Sequence, residues 1–456
     1  MKVEKFFKVM VMLLLVLTIV VACASDNGQQ GDDTTAPAVD TASADVTTDA
    51  DADPTVIRVW SFTDELPQMI NDYFKRDHPG VIEMEFTMVD NAEFEAKLDP
   101  ALAAGNGPDL WGINVAIVNK YVNGGVLADM SHLLERAHEL EIAQYVIDLG
   151  TDTDGILRTL AFQATPGGVW YRRDLAEQYL GVSEPEDVGP MLSTLDGMLD
   201  VARTLRDASD GTVFYTASVA ELANLFLARR ESPYVVDDTI VIDPAIVDFM
   251  EFSRMFMEEG LVAGFDTWGP DWFAGISDSA GEDRIFSYTG ATWMINFVLR
   301  PNAESPDGAR NTYGDWALVE GPGFFYHGGT FWGVNAASPV LETTMEVFEY
   351  LTLDAGFIRD YAVDTADFPA SAVVARDLAE GMSNSFLGGQ NHFAIFNAIV
   401  GNVRDLHTVH QNDEFILDAL VDQTMLYATG AKDLETALND FQSAVISLYP
   451  FLSRAD

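Results

Sequence analysis

Between residues 56 and 113 the hydrophobic period switches repeatedly between that of a strand and that of a helix. This alternation constrains the fold more than any other feature of the chain. Residues 56–60 are a short apolar run of strand length. Leu66, Met69, Ile70, Tyr73 and Phe74 then recur at helical spacing, with Pro67 in the first turn, where its missing N–H costs no hydrogen bond. His78-Pro79-Gly80 breaks that helix. Ile82, Met84, Phe86 and Met88 alternate with Glu83, Glu85 and Thr87, the signature of a strand with one buried face. Phe94, Leu98 and Leu102 mark a second helix, which residues 105–108 end, and residues 109–113 form a third short strand. Strand–helix–strand–helix–strand predicts an α/β fold with a parallel, doubly wound sheet, because parallel strands need helical crossovers of one hand. Ligands of such sheets bind beyond the carboxyl ends of the strands. Here those ends are Trp60-Ser61-Phe62, Asp90-Asn91 and Trp111-Gly112.

A second α/β region begins after residue 162. Strand patterns at 169–171 and 213–216 alternate with helical ones at 174–180, 194–206 and 220–228. A strong helical stripe follows at 244–259. The C-terminal part is mostly helical, over 342–353, 414–429 and 434–449, and no repeat of fixed period is present.

The N-terminus has a different character. Lys2, Lys5 and Lys8 precede an apolar run over 9–21 that only Thr18 interrupts, and Ala22-Cys23 follows. A basic start, a short apolar core and a small exit residue describe a signal peptide over 1–22, and the run is short of the roughly 20 residues of a spanning helix. Val20-Val21-Ala22-Cys23 resembles the lipobox of bacterial lipoproteins, which implies lipidation of Cys23, the one cysteine of the chain. Residues 24–55 contain no Leu, Ile, Met, aromatic residue, Lys or Arg, but eight Asp. Such a segment cannot offset its ordering entropy by burial, so 23–55 is expected to act as a disordered acidic tether. With no second cysteine, no intramolecular disulfide is available and stability must come from core size. Roughly 400 residues follow the tether, enough for two domains.

The net charge is −47, and of seven Lys three lie in the first eight residues. This excludes nucleic acid as a partner, since phosphate neutralisation needs Lys and Arg. The charge fits solubility outside the cytoplasm, salt adaptation, or attraction of cationic ligands.

Ile57-Arg58-Val59-Trp60 with its helix and His78-Pro79-Gly80, residues 94–98 leading to Ala103-Ala104-Gly105-Asn106-Gly107-Pro108-Asp109-Leu110, and Gly125-Val126-Leu127-Ala128-Asp129 follow one another in the order of a known pattern. Val169-Trp170-Tyr171-Arg172-Arg173-Asp174-Leu175, Ser287-Tyr288-Thr289-Gly290-Ala291-Thr292-Trp293 and Gly328-Gly329-Thr330-Phe331-Trp332-Gly333-Val334 continue it. Together they resemble the extracellular solute-binding proteins of ABC importers, specifically the sugar-binding family 1 lipoproteins. Pro369-Ala370-Ser371 matches a further turn of that pattern but lacks its Arg. The resemblance implies a two-lobe periplasmic-binding-protein-like fold, each lobe a doubly wound sheet and discontinuous in sequence, with a helical C-terminal part. By analogy the first lobe holds 56–160 plus 288–326 and the second 163–286 plus 334–456. It further implies capture of a sugar or oligosaccharide by hinge closure, delivery to the transmembrane subunits of an ABC permease, a monomer lipid-anchored through Cys23 on the extracytoplasmic face of a bacterial membrane, and no cofactor.

Sugars offer CH faces and many hydroxyls, so their sites combine flat aromatic rings with placed polar groups. Of eight Trp, Trp60 and Trp111, with Phe62, lie at strand ends. Trp268 and Trp272 flank Gly269-Pro270-Asp271, Trp293 follows the Gly290 turn, and Trp332 follows Gly328-Gly329. Each ring is either a ligand platform or core; Trp170 and Trp316, inside apolar strands, are expected to be core. Asp64, Glu65, Asp109 and Gln163 are the polar candidates; Asp109 is equally suited to capping the turn after Pro108.

The chain has no phosphate-binding G-x-x-x-x-G-K-[ST] loop, no G-x-G-x-x-G, no G-x-S-x-G and no H-E-x-x-H. His407 and His410 lack a third metal ligand nearby, and no metal is expected. The alternatives to a sugar-binding protein are a binding protein for a cationic or other small solute, a glycosidase acting through two carboxylates, and a structural surface lipoprotein with no small ligand, against which the aromatic loops argue.

Overall fold

The computed structural model describes residues 53–403 and 413–454. The signal-like segment, Cys23 and nearly all of the tether lie outside them, as do His407 and His410. The strands are β1 (Thr55–Ser61), β2 (Ile82–Met88), β3 (Leu110–Asn114), β4 (Pro166–Arg172), β5 (Val213–Thr216), β6 (Val235–Val236), β7 (Thr239–Ile240), β8 (Arg284–Ala291), β9 (Trp316–Val319), β10 (Phe325–Tyr326), β11 (Thr330–Val334) and β12 (Ser453–Arg454).

The first sheet has the order β11-β3-β1-β2. β1 runs parallel to β2, from Thr55 opposite Ile82 to Ser61 opposite Met88, and parallel to β3. β11 closes the edge antiparallel to β3. The second sheet has the order β10-β4-β8-β5, with β9 also paired to β4. Only β5 and β8 run parallel in it; the β4 pairings are antiparallel. β4 is buried over its whole length, and its side chains alternate between two cores: Val169 and Tyr171 in one, Trp170 in the other. Such a strand, covered on both faces, reads as a continuous apolar run. Trp170 and Trp316 are fully buried. No described helix is long and apolar enough to cross a membrane.

One expectation is corrected. Residues 288–326 were expected in the first lobe, yet β8, β9 and β10 complete the second sheet. β11 belongs to the first sheet. The helix Leu341–Leu353 packs on it and on the helical turns Met69–Phe74, where Tyr350 meets Phe74 with ring centroids 5.3 Å apart. Hydrophobic period specifies the type of an element; membership of a sheet depends on pairings between distant segments, which period does not carry.

Three short segments run side by side where the chain passes between the sheets. Ala164 N–H donates to Phe368 O and Ala370 N–H to Phe162 O, both at 3.0 Å. On the other side His327 N–H donates to Thr165 O at 3.0 Å, and the Thr165 hydroxyl to Gly328 O at 3.0 Å. Gly328 and Gly329 adopt φ of +70° and +121°, conformations that side-chain-bearing residues rarely reach.

Candidate functional site

Beside these crossing segments lies a cavity of about 380 Å³, and short local motifs build its walls. Gly269 N–H donates to Asp266 O at 2.8 Å, which closes a tight turn around Thr267 and Trp268. Pro270 then opens the helix Pro270–Ile276 at a position that needs no N–H, and this helix carries Trp272 inward. Ser218 caps the turn Val219–Leu222 through Ala220 N–H and so places Glu221. Thr289 comes from β8, and Trp293 from just beyond its end. The helix Asp413–Ala428 covers the opposite side with Leu417, Val421 and Met425, spaced one helical turn apart, and with Asp418. A smaller recess of about 70 Å³ adjoins through Asn224, His327 and Leu417, and there Val115, just past β3, brings in the first sheet.

The aromatic wall is continuous. Trp268 stacks on Trp293 with ring centroids 5.9 Å apart and planes 19° apart, and meets Trp272 at 5.2 Å with the planes tilted by 41°. Trp293 Nε1 donates to His327 O at 2.9 Å, and Trp272 Nε1 to the Glu221 carboxylate. Trp268 is 56% exposed, and its backbone sits at φ +67°, a sterically costly region for a bulky residue.

The polar groups have an unusual property. Thr267 Oγ1, Thr289 Oγ1 and His327 Nδ1 are buried without a hydrogen-bond partner in the protein, and all three residues line this cavity. Leaving such groups unsatisfied costs about 1–3 kcal/mol each. The recesses of about 850 Å³ beside Phe226 and Phe252, and of about 750 Å³ beside Lys120 and Phe451, are larger but contain none of the unpartnered buried atoms. Burial pushes the Glu221 carboxyl up to about 8, against hydrogen bonds from Thr216 and Trp272. Burial also pushes His327 down to about 4, so its imidazole is neutral at neutral pH. The Asp418 carboxyl is raised first by desolvation and then by Asp422. None of the described lining residues is Lys or Arg.

Of the residues singled out from sequence, the fold brings Trp268, Trp272 and Trp293 to this cavity and Gly328 to the adjoining recess. The others lie elsewhere. Trp111 and Trp332 are fully buried in the first-sheet core, Trp332 stacked on Phe162 at 5.4 Å. Asp109 is 1% exposed and holds Arg58 in a two-point ion pair at 2.9 and 3.1 Å, while accepting from the Ser338 hydroxyl at 2.8 Å. Burial opposes its ionisation, but these bonds win and keep its carboxyl below the ordinary range. Its role is to tie β1 to the segment after β11. Glu65 and Gln163 are buried at the crossing segments, where the Gln163 amide donates to Asp367 and the Tyr361 hydroxyl donates to Glu65 at 3.0 Å. Asp64 is exposed and accepts from its own helix, from Gln68 Nε2 at 2.8 Å. Trp60 and Phe62 are half-buried, with Phe62 set edge-on against Phe94 at 5.7 Å. Gly329 takes part in the crossing, its carbonyl accepting from Val115 N–H at 3.1 Å.

Sequence reasoning missed Glu221, Thr267, Thr289, His327 and Asp418. His327 adjoins Gly328-Gly329, and Thr289 lies within the quoted 287–293 stretch, so position offered a signal for both. Nothing local marked Glu221 or Asp418 among 72 acidic residues.

A family model described as bacterial extracellular solute-binding protein matches residues 68–384. The chain belongs to the bacterial extracellular solute-binding protein family. Among solved structures it is similar to an extracellular solute-binding protein family 1 member, at 16% identity over 86% of this chain and 99% of the other, with a TM-score of 0.69. It is also similar to the ABC transporter associated binding protein from B. animalis subsp. lactis Bl-04, solved with beta-1,6-galactobiose, at 20% identity over 88% and 100%, TM-score 0.67. The galacto-N-biose-/lacto-N-biose I-binding protein from Bifidobacterium longum, solved with lacto-N-biose, is similar at 18% identity over 89% and 100%, TM-score 0.68. Likeness at this identity is one of fold: this solute-binding protein shares the two-lobe α/β architecture of these structures. No curated protein sequence matches it.

Proposed function

We propose that this solute-binding protein captures a sugar or oligosaccharide in the cavity beside the crossing segments and delivers it, unchanged, to the permease of an ABC importer. The observation that carries this reading is the meeting, on one cavity, of a three-indole wall with three buried polar atoms that have no partner. Indole faces match the CH faces of a pyranose, and Thr267, Thr289 and His327 offer two hydroxyls and a ring nitrogen to its hydroxyl groups. A saccharide would satisfy them at no loss of internal hydrogen bonds. The side-by-side crossing segments suit a hinge: a few backbone rotations there would swing the first lobe, through Val115 and its neighbours, toward the ligand. In this reading the mature chain starts at a lipidated Cys23, the acidic tether holds the body off the extracytoplasmic face of the membrane, and the protein works as a monomer.

The test is a thermal-shift screen of mono- and oligosaccharides, since a ligand that binds only the folded form raises Tm. Trp268→Gly is the matched control: it removes the exposed ring and relieves a positive φ. Expected is a saccharide that raises the Tm of wild type but not of Trp268→Gly, and that is recovered intact after incubation. A saccharide that shifts both equally overturns the assignment of the cavity, and cleavage of the saccharide overturns the carrier role. Anchoring is tested separately: Cys23→Ser should leave the membrane fraction or fail to mature.

A further inference from the structure

The charge of the cavity narrows the ligand further. Asp266 and Asp418 stand at its rim, and among the described residues no Lys or Arg lines it. Three Arg side chains of the second lobe are engaged elsewhere: Arg172 with Asp174 and Asp278 at 2.8 and 3.0 Å, Arg284 with the same two acids at 2.9 Å, and Arg203 with Glu259, while Arg230 lies in the adjoining recess and not on the cavity itself. Among the described lining residues the one basic side chain, His327, is held neutral by burial. Glu221 is occupied by Thr216 and Trp272 and fixes the indole wall instead of facing the ligand as a free charge. The wall itself attracts cations, because an indole face carries negative potential. Thr289, 93% buried, lines the same space and its Oγ1 has no partner in the protein, so the acids border a site built to hydrogen-bond something and are more than a solvated face. A chain with a net charge of −47 also draws cations toward it over distance.

We infer that the cavity selects a saccharide bearing a cationic amino group, with Trp268 and Trp293 presenting indole surface and Asp266 and Asp418 supplying the countercharge. This rests on the saccharide reading above. A neutral sugar leaves both carboxylates without a partner of opposite sign, and an acidic sugar is repelled by them. An ammonium group set between the indole face and the carboxylates gains both the cation–π and the ion-pair terms, and a cation beside Asp418 offsets the upward shift that desolvation gives its carboxyl.

The experiment uses the full-length protein and a panel of disaccharides, each prepared with an amino, an acetamido or a hydroxyl group at C2 of one ring, with an aliphatic diamine as the non-saccharide probe. Dissociation constants are measured by calorimetry at low and high salt. Expected is at least tenfold tighter binding of an amino form than of its acetamido and hydroxyl counterparts. That preference should fall severalfold in Asp266→Asn and in Asp418→Asn and shrink at high salt. Both acids are exposed, so each variant should keep the wild-type melting temperature, which is checked in parallel. If the hydroxyl or acetamido forms bind as tightly as the amino form, the inference is overturned while the saccharide reading stands. If the diamine binds and no disaccharide does, the saccharide reading fails and the preference for a cation survives. If neither the diamine nor any amino form binds, the inference is overturned.

Discussion

Trp111 and Trp332 in the first sheet and Trp268 and Trp293 at the cavity are the same residue type near strand ends or turns, yet they have opposite fates. The first pair is fully buried; Trp268 is 56% exposed and Trp293 half-buried. The cause lies in what stands opposite. Antiparallel pairing of β11 with β3 puts Trp332 across from Gly112 and Gly333 across from Trp111. Each large ring therefore faces a glycine, and a Cβ on Gly333 would lie 2.6 Å from the Trp111 ring. The sheet makes room for both indoles and closes over them. Trp268 stands in a turn with no strand opposite, and its left-handed backbone holds the ring outward. The contrast teaches that a tryptophan beside a glycine becomes an exposed ring or a core ring according to its cross-strand partner.

The largest test of this contrast is Trp332→Ala. A void of that size in a close-packed core should cost about 3–5 kcal/mol of stability, seen as a large drop in the denaturant midpoint. Ligand affinity of the protein that remains folded should hold within about twofold. A variant that stays stable but binds poorly would move Trp332 from the core to the site.

The second test concerns acids that the contrast leaves aside. Glu65, from the first lobe, and Asp367, on a crossing segment, are buried together, with no ion pair to either among the described residues. Thr292, just beyond β8, donates to Asp367 at 2.6 Å. Burial and then Asp367 push Glu65 up to about 8, and burial pushes Asp367 up to about 7. The folded state therefore holds protons that the unfolded chain releases near pH 4. Their stabilisation is complete below that and is lost as pH rises toward 8. His327 and His392, pushed by burial to about 4, act in the opposite sense between about pH 4 and 6.5. The informative quantity is thus the difference between wild type and Glu65→Gln. From pH 5 to 8 wild type should lose on the order of 2 kcal/mol more than the variant. Parallel curves would mean that Glu65 is ionised and paired in the folded protein.

The third test is Trp268→Ala. Loss of an exposed ring should weaken saccharide binding by about 1–2 kcal/mol, roughly ten- to thirtyfold, with stability changed by less than about 0.5 kcal/mol or improved. Trp332→Ala and Trp268→Ala should thus give opposite patterns of stability and affinity, and similar patterns would end the distinction.

How much of this was legible follows the same line. The first five elements were readable because residues 56–113 carry clean periods; the expected strand over 82–88 is the observed β2, and the helix expected over 94–102 runs Phe94–Ala103. The burial of Trp170 was readable from its apolar strand. The exchange of β8 to β11 between sheets was not, because pairing across more than 100 residues leaves no local trace. Asp109 looked like a candidate ligand group until Arg58, 51 residues away, came to lie against it. Thr267, Thr289 and His327 stand out only once burial shows that nothing in the protein satisfies them.

The smallest effect tests the edge of the comparison. Asp64 lies just past β1, where a doubly wound sheet would place ligand groups. It is exposed, its carboxylate bonds only Gln68 on its own helix, and it lies outside the cavity lining. It precedes the helix Glu65–Gln68, yet its side chain makes no capping bond. Asp64→Ala should therefore change stability by less than about 0.5 kcal/mol, the range of an exposed substitution away from special features. Affinity should stay within about twofold, measured by calorimetry with the saccharide that best raises Tm. If lobe closure swings the end of β1 over the ligand, Asp64 becomes a contact that the present arrangement of the lobes does not contain. A tenfold loss of affinity with unchanged stability would reveal that contact, and the first sheet would then contribute to the site through closure instead of through its tryptophans.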